Sequence, residues 1–120
     1  MSNPTKQELN RCLLTIYLAV AYSDGTLGTD EGNAILRKAN QLFSDTKTAL
    51  LEFNEISSIV MAMNKTDLWD YIADSIERFP EQAVLRKELE HNLSEIMEAD
   101  GKVSESELSL YRKVFGLLMH

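Results

Sequence analysis

A second cysteine is missing from this chain. Cys12 stands alone among 120 residues, so no internal disulfide and no paired-thiolate metal site can form, and a reducing, cytoplasmic compartment is expected. Histidine is nearly as scarce, with only His91 and His120. A cysteine nucleophile would need an imidazole beside it; Cys12 instead reads as a small core residue inside the run Cys12-Leu13-Leu14. Two prolines and five glycines leave little to interrupt helices and nothing of low complexity. Positive charge is in deficit too. Twelve basic against nineteen acidic residues give a net charge of −7, and the basic residues fall in scattered pairs, Arg37-Lys38, Arg86-Lys87 and Arg112-Lys113. A nucleic-acid partner is therefore not expected, whereas cations and basic protein surfaces are. No long hydrophobic run exists: Cys12 to Tyr22 is about half of the ~20 residues that a membrane span needs. Met1 to Lys6 lacks the cationic start and apolar core of an export signal.

What is present is helical periodicity. Apolar residues recur at three- and four-residue intervals almost everywhere, and no segment alternates with period two. The expectation is one all-α domain over residues 1–120, a compact bundle of six or seven helices. The first starts at a Thr5-x-x-Glu8 capping box and runs to about Tyr22, with Leu9, Leu13, Ile16, Tyr17 and Val20 facing inward. A second covers about 30–43. The third begins near Asp45 or Thr46 and presents Leu50, Phe53, Ile56, Val60 and Met63, ending before an Asn64-Lys65 break. A fourth from Thr66 carries Trp69, Ile72, Ile76 and Phe79. Pro80 separates it from a fifth, about 81–99, striped by Leu85, Leu89, Leu93 and Ile96. A sixth runs from 105 to the end.

Sliding the sequence along itself yields one internal match. Ser23-Asp24-Gly25-Thr26-Leu27-Gly28-Thr29-Asp30-Glu31 lines up with Ala99-Asp100-Gly101-Lys102-Val103-Ser104-Glu105-Ser106-Glu107, both reading Asp-Gly-x-(Leu/Val)-x-x-x-Glu. Each copy joins two helical patterns, so the chain holds two pseudo-repeated helix–corner–helix units with the third and fourth helices between them. Capping accounts for much of this. The glycine supplies a left-handed helix end, Ser104-x-x-Glu107 is a capping box, and Val103 with Leu108 has the spacing of a hydrophobic staple. The first copy fits less well, with Gly28 at the cap and Gly32 at the staple position. Helical spacing adds a second requirement. Asp24 and Asp100 continue apolar stripes through Val20 and Ile96, and Glu31 and Glu107 stand one turn before Ile35 and Tyr111, so all four carboxylates are expected to point inward. Buried carboxylates need backbone donors, a basic side chain or a cation, and a divalent cation such as calcium or magnesium is one natural partner.

The corner also has the spacing of the second half of an EF-hand loop, but its first half would place Val20 and Tyr22, or Ile96 and Glu98, where calcium ligands belong. Glu88-x-x-His91 has di-iron spacing without the second copy such a site requires, and with Glu95 one turn on it reads as a solvated charged face.

Leu18-Ala19-Val20-Ala21-Tyr22-Ser23-Asp24-Gly25 through Glu31, and Ile96-Met97-Glu98-Ala99-Asp100-Gly101 through Glu107, resemble the TerB-like family of tellurite-resistance proteins and the N-terminal domain of membrane-anchored DnaJ-like co-chaperones. The resemblance spans about Leu13 to Leu118 and is carried by the two corners. It implies an all-α fold, no enzymatic activity and an acidic metal cluster whose ligands here would be Asp24, Glu31, Asp100 and Glu107. Ser23 in place of the commoner alanine, and Gly32 at the start of the second helix, depart from the family pattern. The expected function is a non-enzymatic binding module, metal-responsive and engaged with a protein partner in a bacterial stress response such as tellurite resistance. The alternatives are a scaffold with acidic helix caps and a carboxylate- or metal-dependent hydrolase.

Overall fold

The structure, a computed structural model, describes residues 6–23, 25, 27–43, 45–79, 81–99, 101 and 103–118. Among the described residues six helices make up the bundle: α1 (Lys6–Ala21), α2 (Thr29–Leu42), α3 (Thr46–Met61), α4 (Lys65–Arg78), α5 (Gln82–Met97) and α6 (Glu105–Leu118). No strand occurs among the described residues, and no helix among them is long and apolar enough to cross a membrane.

The axis of the molecule is α1, which packs against each of the other five helices. Every residue from Cys12 to Ala21 is buried, so the expected one-sided stripe is corrected to burial all round, as befits a central helix. Its polar side chains find backbone acceptors on α1 itself or on α2. Thr15 Oγ1 donates to the Arg11 carbonyl at 2.7 Å, and Asn10 Nδ2 donates to the Leu42 carbonyl at 2.6 Å, covering one of the open carbonyls at the end of α2. Arg11 reaches outward to Glu52 and Glu55, linking α1 to α3.

Elsewhere the stripes hold with small shifts. Leu85, Leu89, Leu93 and Ile96 are fully buried along α5. On α3 the expected Leu50 is 46% exposed and Ala49 is buried instead, because Ala49, Phe53, Ile56 and Val60 form the row that meets α1 and α2. Helix starts follow side-chain caps. Asp45 accepts from Thr48 N at 2.7 Å to open α3. Asn64, expected to be a break, accepts from Asp67 N at 2.8 Å and starts α4 one residue earlier than Thr66. The Thr5 cap of α1 lies outside the described residues.

The two corner units interlock. α1 lies against α5, while α2 packs on α5 and α6 packs on α1. Each unit therefore lays its second helix across the other unit's first, a pseudo-two-fold arrangement that the internal repeat anticipates.

Candidate functional site: the two acidic corners and their grooves

The repeat is carried through to individual backbone hydrogen bonds. At the end of α1, Tyr22 N donates to Leu18 O, Ser23 N to Val20 O and Gly25 N to Tyr22 O. At the end of α5, Glu98 N donates to Ser94 O, Ala99 N to Ile96 O and Gly101 N to Glu98 O. Gly25 and Gly101 have φ of 96° and 78°, the left-handed region in which a side chain is strained. Asp24 and Asp100, the aspartates of the two corners, lie outside the described residues.

The two glutamates are placed inside. Glu31 is 3% exposed and Glu107 is 2% exposed. In the second corner the capping box closes in both directions: Glu107 N donates to Ser104 Oγ at 3.1 Å and Ser104 N donates to Glu107 Oε1 at 3.2 Å. One carboxylate oxygen of Glu107 is thus used. The other, Oε2, is buried and meets no hydrogen-bond partner among the described residues. The first corner cannot repeat this arrangement, because its cap is Gly28 and no side chain caps α2. Gly32 has a packing reason: a Cβ there would meet Leu27 Cδ2 at 3.3 Å, so Leu27 folds over the space that a larger residue would fill. The Val103–Leu108 pair is a weaker staple than expected, since both side chains are substantially exposed. Among the described residues no group of three or more histidine, cysteine or acidic side chains could hold a metal by itself, so a cation site here requires the aspartates as well as the glutamates.

Interlocking also creates two related grooves. In one, Ser23 at the end of α1 faces Ser106, Ser109 and Leu110 of α6, with Lys113 beyond and Lys65, Leu68 and Trp69 of α4 closing the far side. In the other, Ala99 at the end of α5 faces Asp30, Asn33 and Ala34 of α2, with Arg37 beyond. In the register of the repeat these positions coincide: Ser23 with Ala99, Asp30 with Ser106, Asn33 with Ser109, Ala34 with Leu110 and Arg37 with Lys113. The second groove is crossed by an ion pair between Lys38 and Glu95. The hydrogen bond from Lys38 holds the Glu95 carboxyl below its usual range. Glu95 is therefore tied to α2 rather than simply solvated, whereas His91 is exposed as expected.

Two further groups sit apart from the corners. Cys12 is buried, and burial pushes its thiol up to about 11, which suppresses the thiolate that nucleophilic chemistry needs. Tyr17, whose hydroxyl is buried, lines a groove with Lys38, Gln41, Leu42, Glu88, His91 and Asn92. Burial raises its pKa, against the opposing influence of the Asn92 side chain. Asn92 lies close by, yet among the described residues no hydrogen bond of ordinary geometry reaches the hydroxyl.

No family model, curated protein or solved structure matches the chain. The inward position of the glutamates followed from helical spacing. The grooves did not, although the register of the repeat already pairs Arg37 with Lys113 and would have flagged them.

Proposed function

We propose that this chain is a non-enzymatic binding module of TerB-like organisation that takes a divalent cation at its acidic corners and presents that state to a protein partner. By analogy, the setting is a bacterial stress response such as tellurite resistance. The observation that supports this reading most is Glu107 Oε2, a carboxylate oxygen withdrawn from water without a donor among the described residues. Such an oxygen is costly unless a positive charge or a hydrogen-bond donor compensates it. Glu31 is equally buried at the matching position of the other corner, and Asp24 and Asp100 stand seven residues before the two glutamates in sequence. Oxygen-only donors of this kind suit calcium or magnesium.

Thermal unfolding with and without each cation tests the proposal. Millimolar calcium or magnesium is expected to raise the melting temperature, because a ligand that binds only the folded chain stabilises it by mass action. Glu107→Gln keeps an amide oxygen for the Ser104 cap but removes the charge, so it should abolish the response while leaving a folded protein. Asp24→Asn combined with Asp100→Asn should do the same. A second reading, in which the acidic corners are helix caps of a scaffold, is favoured by the closed Ser104–Glu107 box. It prevails if neither cation moves the melting curve, or if Glu107→Gln responds like the unmutated chain.

A further inference from the structure

We infer that the groove between α4 and α6 is a binding site for a small organic anion, a carboxylate or phosphate ester with a flat apolar body. This site is separate from the acidic corners and would stand if the cation reading failed. The cavity holds about 260 Å³, just below the roughly 300 Å³ at which small-molecule pockets begin, which limits the occupant to a small molecule. Its floor is apolar, with Leu68 and Leu110 both buried, and Trp69 provides an aromatic wall.

The polar side of the groove is cationic, which is unusual in a chain of net charge −7. Lys65 is the first residue of α4 and Lys113 lies two turns into α6, and neither forms an ion pair among the described residues. Lys113 is held over the Trp69 ring, 5.5 Å from its centre, which fixes an otherwise mobile ammonium at the cavity. The first turns of α4 and α6 both border the groove, so it lies beside the positive ends of two helix dipoles. Ser106 and Ser109 add two hydroxyl donors that form no side-chain hydrogen bond among the described residues. Glu105 at the edge is the one acidic residue among the described lining residues, and it leaves the lysines in excess.

Comparison with the pseudo-equivalent groove sharpens the assignment. There Asp30 and Asn33 replace the two serines, and the Lys38–Glu95 pair already supplies an internal anion opposite Arg37. Of two grooves built by the same repeat, one balances its two cations with two carboxylates, while the other sets two lysines against one carboxylate among its described residues, beside an aromatic wall.

Trp69 is the only tryptophan, so its emission reports on the site directly. Benzoate and phenyl phosphate, titrated at fixed ionic strength to hold screening constant, should each give a saturable change in emission. Calorimetry should read the same affinity, because removing Lys113 alters the tryptophan baseline. Lys65→Gln with Lys113→Gln should weaken binding at least about tenfold, the scale of losing one charge-assisted hydrogen bond. Ser109→Phe, which fills the groove and leaves both lysines, should abolish binding. Arg37→Gln in the other groove should change nothing. Inorganic phosphate, which has the charge without the body, should bind at least about tenfold more weakly than phenyl phosphate. The assignment is overturned by the absence of saturation with both aromatic probes up to about 10 mM. It is equally overturned by unchanged affinity in the double lysine variant or in Ser109→Phe, by an equal loss in Arg37→Gln, or by inorganic phosphate binding as tightly as phenyl phosphate.

Discussion

Cys12 shows how burial converts a reactive residue into a pH-dependent element of stability. Its thiol is pushed up to about 11 in the folded chain from an ordinary value of 9.0. Below about pH 9 the thiol is protonated whether the chain is folded or not, and its contribution is fully present. Between about pH 9 and pH 11 the unfolded chain releases the proton first, so stability falls as pH rises, by up to about 2 kcal/mol. Chemical denaturation of the wild type and of Cys12→Ala at pH 8 and pH 11 isolates this effect, since the lysines and tyrosines titrate in both proteins. The gap between the two should narrow or reverse at the higher pH. A gap independent of pH would mean that the thiol is far more accessible than its position in α1 implies. At the same scale, the inward placement of Glu31 and Glu107 was legible in sequence because a carboxylate one turn from a buried aliphatic residue has few other directions to take. The unused oxygen of Glu107 was not legible, because it depends on the Ser104 cap engaging one oxygen and leaving the other.

The helices themselves were the most legible level, and their departures have specific physical causes. Leu85, Leu89, Leu93 and Ile96 define α5 because a helix covered mainly on one face must repeat its apolar residues every three or four positions. In α1 the same period concealed the outcome: a stripe can be picked out of any helix that is apolar on all sides. On α3 the larger side chain of Leu50 suggested the inner row, but the close approach of α1 and α2 favours the small Ala49. Asn64 stands between the two helices as expected, but its capping role was not legible, because polar residues between two apolar patterns look the same whether they only separate helices or also cap one; the hydrogen bond that Asp67 N donates to its side chain decides. This assignment predicts that Asn64→Ala destabilises the protein by about 1 kcal/mol, while Asn64→Asp or Asn64→Ser retains most of the stability. Urea denaturation measures both. Equal loss in all three variants would indicate that the amide group of Asn64, rather than its accepting oxygen, holds the start of α4.

At the scale of the whole molecule, the repeat determines where the grooves lie and which helix is the most protected. Because α2 lies on α5 and α6 lies on α1, neither corner unit can be completed without the other, and α3 and α4 cover the sides of α1 that remain. The relative placement of the units was outside the reach of sequence reading, since periodicity defines faces but not which face meets which. α1 touches all five other helices, and residues from Leu13 to Ala21 are at most 5% exposed. An opening that bares its backbone must therefore undo nearly the whole core, whereas α6 or α4 can separate while leaving most of α1 covered. Native-state hydrogen exchange should accordingly find the amides of Leu14 to Ala19 exchanging only through global unfolding, with an opening free energy equal to that from chemical denaturation. The amides of α4 and α6 should open more readily. If α5 proved slower to exchange than α1, or if α1 opened well below the global value, the central position of α1 would not be what makes the fold cooperative, and the paired corners would have to form a stable unit without it.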